Sequence, residues 1–211
     1  MTQDALIIFV KNLIDGQVKT RLAATLSNEE AMDIYKQLLQ KAHRTVEPFE
    51  TDKIIFYSDF IADDIWENNL FQKKIQEGND LGARMKNAFK SLSAAHAGSF
   101  TSGYEKVVII GTDCPGINET ILKDAFAKLE NHDIVIGPAT DGGYYLLGMK
   151  KEHPYLFQNI GWSTEVVLKQ TIDRCDIHQV SYFLLPELSD IDEEKDLVHF
   201  ESLLLLNKKS S

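Results

Sequence analysis

Two uninterrupted apolar runs, Leu6 to Val10 and Val107 to Ile110, constrain this chain more than any other feature of its sequence. A strand with one face in water alternates apolar and polar residues, whereas a run with no polar position is a strand covered on both faces. Such a sheet needs a helical layer on each side, and helical spacing is found between the runs. Ser27 and Glu30 form a capping box. Behind them Ala31, Tyr35, Leu38, Leu39, Ala42 and Val46 recur on one helical face until Pro48. Asp80 caps a second helix carrying Leu81, Met85, Ala88, Phe89 and Leu92, and Ile121, Leu122, Ala125, Phe126 and Leu129 mark a third. Further strands are expected at Ile54 to Tyr57, Phe71 to Ile75, Ile134 to Ile136, Tyr144 to Met149 and Val180 to Leu184. Helices are expected over Ser163 to Cys175 and Asp192 to Leu206, with loops over Lys11 to Leu26 and His96 to Gly103. The alternation predicts one α/β domain over residues 1–211, a mostly parallel sheet with helices on both faces, and a frayed tail at 206–211.

Composition narrows the function classes. At 211 residues and 44% apolar content the chain buries a full core. Its 22 Lys and Arg against 32 Asp and Glu give a formal charge of -10, which repels nucleic acid and anionic membrane surfaces alike. The two cysteines, Cys114 and Cys175, form neither a zinc spacing nor a disulfide framework. Met1 to Ala5 lack a basic start and a cleavage site, and no apolar run approaches the ~18 residues of a membrane span. These features predict a cytoplasmic enzyme or binding module.

In an open α/β sheet a ligand sits beyond the carboxyl ends of the strands, and the polar clusters fall there. Lys11 follows the first strand and begins a loop that also carries Gly16, Lys19 and Arg21. Lys supplies a point charge, Arg a planar fork and Gly a close backbone approach, which suits a phosphate cradle; a solvated basic loop is the alternative. Val18 stands where a Walker A loop needs Gly, and no G-x-G-x-x-G follows the strand. Asp113 ends the second buried run. It is either a ligand for a hard cation or a turn former ahead of Pro115 and Gly116. Cys114 beside it reads as packing, since no His lies near enough in sequence to activate it.

Asp190 with Glu193 fits a capping box for the last helix, leaving Asp192 free as a second metal ligand. Asp141, Gly142 and Gly143 form a turn that is either an ordinary hairpin or a close-approach point for a sugar or base. Trp162 is either a stacking platform for a substrate ring or a core side chain.

In this order the motifs resemble the nucleotide-diphospho-sugar transferase superfamily, whose fold is called GT-A. They are most similar to a bacterial group of glycosyltransferases that includes proteins assigned to arsenosugar biosynthesis. The resemblance rests on Phe9 to Leu22, Asp80 to Met85, Gly111 to Gly116, Asp141 to Gly148, Trp162 to Glu165 and Leu185 to Asp192, and so runs through nearly the whole chain. A wider similarity links it to nucleotidyltransferases of the same fold, including CMP-sugar synthetases and 2-phospholactate guanylyltransferases. The resemblance implies that Lys11, Lys19, Arg21, Arg84 and Thr112 bind nucleotide. It implies that Asp113 and Asp192 hold Mg²⁺ or Mn²⁺, although Glu193, Glu194 and Lys195 replace the Thr-Pro-Glu of the synthetases. Asp141 would orient or deprotonate an acceptor hydroxyl, with Gly142, Gly143, Trp162 and Glu165 around the acceptor. The expected function is metal-dependent glycosyl transfer from a nucleotide-sugar to a small-molecule acceptor. The alternatives are nucleotidyl transfer from an NTP to a small phosphorylated or carboxylated acceptor, and a non-catalytic nucleotide sensor.

Overall fold

The computed structural model describes residues 4–92 and 104–198. The loop expected at His96 to Gly103, most of the last helix toward Leu206 and the tail at 206–211 lie outside the described residues. The seven strands among the described residues are β1 (Asp4–Val10), β2 (Asp52–Tyr57), β3 (Gln72–Ile75), β4 (Lys106–Ile110), β5 (Ile134–Pro138), β6 (Tyr144–Met149) and β7 (Tyr182–Leu184). They form one sheet in the order β3-β2-β1-β4-β6-β5-β7. Every pairing is parallel except those of β6, which runs antiparallel between β4 and β5. The turn at Asp141 to Gly143 reverses the chain and sends β6 back along β5, into the place beside β4.

The buried runs explain the layers. Leu6, Ile8 and Val10 face one core with α2 (Asn28–Val46) and α4 (Glu119–Lys128). Ala5 and Ile7 face the other, with α3 (Leu81–Lys90) and α5 (Val167–Ile177). Period-two alternation thus puts apolar side chains of one strand into both cores. Ser27 and Glu30 cap α2 reciprocally, and Asp80 accepts the Ala83 N–H at 2.7 Å to start α3. Among the described residues no helix is long and apolar enough to cross a membrane.

Several expectations need correction. The segment Lys11 to Leu26 is not all loop, because Thr20–Ala23 forms the short helix α1, held by the fully buried Leu22. Helix α5 begins at Val167 rather than Ser163, whose φ of 63° is left-handed. The last capping box is made by Glu193 and Asp196 around a 3-10 turn at Glu194–Asp196, not by Asp190 and Glu193.

Candidate active site

The site grows from the carboxyl ends of β1 and β4, and Tyr35 joins them. Its hydroxyl, buried on α2, accepts the Lys11 N–H at 2.9 Å and lies 3.2 Å from the Lys11 carbonyl and 3.3 Å from Thr112 Oγ1. Burial pushes the phenol well above its ordinary range, so it stays protonated. Asn12, also buried, donates to the Phe60 carbonyl at 2.8 Å and accepts the Asp59 N–H at 2.9 Å, tying the first loop to the segment after β2. The loop then turns through Gly16, at φ 68°, and buries Val18.

At Lys19 the backbone enters the left-handed region, φ 49° and ψ 45°, which costs a residue with a Cβ of order 1 kcal/mol or more. That turn sends the side chain inward. Lys19 Nζ lies 2.8 Å from Asp113 Oδ1, with 3% of the Lys19 side chain exposed against 33% of Asp113. Burial raises the Asp113 carboxyl, but Lys19 and then Lys11 outweigh it and hold the group below its ordinary value. Two residues on, Arg21 points into solvent and pairs with Asp192 at 2.6 Å, with 66% and 44% of the two side chains exposed.

Asp190 is the acid that sequence reasoning misplaced. The Ile191 N–H donates to the Asp113 carbonyl at 3.0 Å, which lays the 188–192 segment against the end of β4. Asp190 Oδ1 is buried with no hydrogen-bond partner. Burial, and next the Asp113 and Asp141 charges, push its carboxyl up to about 7. The signal available in sequence was position: Asp190 follows β7 much as Asp113 follows β4. Cys114 lies beside it, its thiol pushed up by burial and then by Asp190, and is no nucleophile as it stands.

Two hollows meet at Asp113 and Asp190. One, of about 350 Å³, is lined by Lys19, Arg21, Thr140, Asp141, Ser189, Asp192, Glu193, Lys195 and Asp196. The other, of about 450 Å³, has an apolar floor of Phe9, Val10, Ile109 and Leu147, with Lys11, Asn79, Asp80, Arg84, Gly111 and Thr112 around it. Arg84 is braced by bonds to the Gly78 carbonyl at 3.1 Å and Gln76 Oε1 at 3.5 Å. The structure therefore brings Lys11, Lys19, Arg21, Arg84, Thr112, Asp113, Asp141 and Asp192 to one continuous cleft.

Gly142, Gly143, Trp162 and Glu165 line neither hollow; Gly142 packs on the Glu165 backbone and the Trp162 ring on Gly82. A Cβ on Gly142, whose φ is 85°, would lie 2.1 Å from the Glu165 carbonyl oxygen, and one on Gly82 would lie 2.0 Å from the Trp162 ring. Half-buried Trp162 also meets Phe157 and Tyr144, at centroid distances of 6.3 and 6.5 Å. Of the two sequence readings of Trp162, the packed one describes these contacts. Asp141 does face the cleft; its Oδ1 accepts the Gly143 N–H at 2.8 Å.

Among the described residues no three of His, Cys, Asp or Glu converge as a ready metal cage. What the cleft offers is a carboxylate pair, Asp113 and Asp190, the second lacking a partner at Oδ1. A hard cation bound through two carboxylates, with its remaining positions left to water and phosphate, suits that donor set.

Residues 39–164 match the model of a family described as an uncharacterized protein conserved in bacteria (DUF2064). A solved structure of a candidate nucleotide-diphospho-sugar transferase from Desulfovibrio desulfuricans G20 superposes with a TM-score of 0.81 at 31% identity, covering 92% of this chain and 84% of that one. The curated relatives include a 2-phospho-L-lactate guanylyltransferase of Methanocaldococcus sp. (strain FS406-22), 26% identical over 139 residues, which are 65% of this chain and 56% of the relative. The chain thus spans little more than half the length of that relative. A manganese complex of a Mycobacterium tuberculosis H37Rv protein shares the fold alone, with a TM-score of 0.53 at 13% identity, covering 94% of this chain and 97% of the other.

Proposed function

The chain belongs to the bacterial family described as DUF2064, with the nucleotide-diphospho-sugar transferase fold, and from that premise we propose that it is a nucleotidyltransferase passing the NMP unit of an NTP to a small acceptor. The sequence favours glycosyl transfer with nucleotidyl transfer second; the guanylyltransferase relatives reverse that order. The observation that carries the reading is the buried Lys19 ammonium on Asp113, beside Asp190 with its unpartnered Oδ1, where β1 and β4 end. A cation donor for phosphate and an oxygen site for a metal stand there side by side.

In this reading the nucleoside lies over the apolar floor of the larger hollow, near Asn79, Asp80 and Arg84. Lys11, Lys19 and Arg21 hold the phosphates, gripping the pyrophosphate that leaves. Mg²⁺ or Mn²⁺ would be held by Asp113 and Asp190, whose charges lie close together where β4 ends and whose second member has an Oδ1 without a hydrogen-bond partner. When bound, the ion neutralises phosphate charge. Tyr35 fixes Lys11 and Thr112 in place, and Asp141 orients the acceptor and receives its proton.

Glycosyl transfer remains the second reading, favoured by the name of the Desulfovibrio neighbour. A thermal-shift panel of NTPs and nucleotide-diphospho-sugars, each with and without Mg²⁺ or Mn²⁺, separates the two, because stabilisation follows affinity for the folded state. Larger metal-dependent shifts with an NTP, followed by pyrophosphate release on turnover, support nucleotidyl transfer. Larger shifts with nucleotide-sugars, and release of a nucleoside diphosphate, overturn it.

A further inference from the structure

The smaller hollow also constrains the acceptor. Its three cations are already committed: Lys19 to Asp113 at 2.8 Å, Arg21 to Asp192 at 2.6 Å and Lys195 to Glu193 at 2.7 Å. When Lys19 and Arg21 turn to the nucleotide's phosphates, Asp192 loses its counter-charge. A divalent ion accounts for Asp113 and Asp190. What then faces the acceptor is Asp141, Asp192, Glu193 and Asp196 against Lys195 alone. The Thr140 and Ser189 hydroxyls, 3.2 Å apart, line the same hollow.

A phosphorylated or carboxylated acceptor would enter that subsite against net negative charge with no free cation among the described residues to receive it. Carboxylates accept hydrogen bonds from O–H and N–H groups, and the two hydroxyls both donate and accept. A cleft of about 350 Å³ is within the range of small-molecule sites. Resting on the nucleotidyl reading above, we infer that the acceptor is a polyhydroxy compound with no negative charge, neutral or aminated, that attacks through a hydroxyl oxygen. The bond from that oxygen to the α-phosphorus forms as the α-phosphorus bond to the bridging oxygen breaks. Pyrophosphate leaves with the electron pair, and the hydroxyl proton passes to the exposed Asp141 carboxylate and on to water.

The test measures binding, so it needs no knowledge of the natural acceptor. The full chain is loaded with Mg²⁺ and an NTP whose α,β bridge is methylene, which blocks transfer. Sorbitol, D-glucosamine and 3-phosphoglycerate are then titrated by ligand-observed NMR. Glucosamine and sorbitol are expected to bind at least roughly ten-fold more tightly than phosphoglycerate. Added salt should weaken glucosamine most. Asp141→Lys should narrow or reverse the order. Phosphoglycerate binding as tightly as the other two, or no binding of either polyol at millimolar concentration, overturns the inference. If the nucleotide analogue itself fails to bind, the nucleotidyl reading falls separately. The same order of probes is then required of the free protein, where all three cations are already paired.

Discussion

Lys19 and Arg21 stand two residues apart in one loop, and each holds an aspartate from the far side of the cleft. Lys19 is buried, reached through a left-handed backbone turn, and its partner ends a central strand. Arg21 is two-thirds exposed, and its partner lies in the half-open segment beside the last 3-10 turn. Water screens the second pair and takes back most of its Coulomb energy, while the first sits where the dielectric is low and an unpaired charge is costly. The contrast teaches that similar charges in one loop are held at different cost: the Lys19 pair is built into the cleft wall, while the Arg21 pair lies in water and is the easier of the two to break.

The widest difference is expected from Lys19→Met, which leaves Asp113 with no partner at Oδ1. Breaking a buried pair costs about 3–5 kcal/mol; the one-third exposure of Asp113 brings the expectation to about 2–3 kcal/mol. Urea unfolding measures it, and a loss no larger than that of Arg21→Ala would abolish the distinction between the two pairs.

Asp190→Asn should move stability the other way in metal-free protein. The folded Asp190 carboxyl titrates at about 7, far above its ordinary value of 3.8. Below about pH 3 both states are protonated and the residue costs nothing. As pH rises toward 7 the unfolded chain ionises first, so folding is increasingly penalised, with the full penalty above pH 7. The asparagine is expected to gain on the order of 1–3 kcal/mol above neutrality and nothing below about pH 3. A gain that does not vary with pH would show that packing, not charge, is responsible.

Tyr35→Phe sharpens the comparison by loosening the loop's root without touching either pair. Losing the hydroxyl removes its bond from the Lys11 N–H and its contacts with the Lys11 carbonyl and Thr112, together worth about 1–2 kcal/mol. Accompanying loss of nucleotide affinity, measured by titration calorimetry, would show that Lys11 needs this anchor. The smallest stability change belongs to Arg21→Ala, within about 0.5 kcal/mol. Its affinity for an NTP should nonetheless fall by about 1.5–3 kcal/mol, the worth of a charge-assisted bond. Unchanged affinity would remove Arg21 from the phosphate site.

What was legible in the sequence followed local rules. The all-apolar runs of β1 and β4, the Ser27–Glu30 box and the Asp80 cap depend on neighbours within a few residues, and each is found where periodicity and capping place it. The cleft was legible as strand-end polar residues, because sheet topology alone gathers them. Partners distant in sequence were not. Nothing in Trp162 reveals that its ring covers Gly82, and nothing in Asp190 reveals that the next residue's N–H binds the Asp113 carbonyl. A capping box at Asp190 satisfied every local rule and still gave way to a contact across the sheet. The short helix α1 escaped because its stability comes from burying Leu22, not from its own four residues.

The placement of β6 has a consequence for the order in which the molecule comes into being. β4 is flanked by β1, made long before it, and by β6, made only after α4 and β5. A chain made only as far as β4 would leave bare the edge that β6 covers, an apolar strand with open N–H and C=O groups and a template for mispairing. The Asp141–Gly143 reversal closes that edge in one stroke, returning β6 onto β4 and bringing Asp141 to the side of the cleft where Asp113 already waits. The strand that covers the free edge of β4 is thus also the one whose turn carries Asp141 to the cleft, so a chain that stops short of it lacks both.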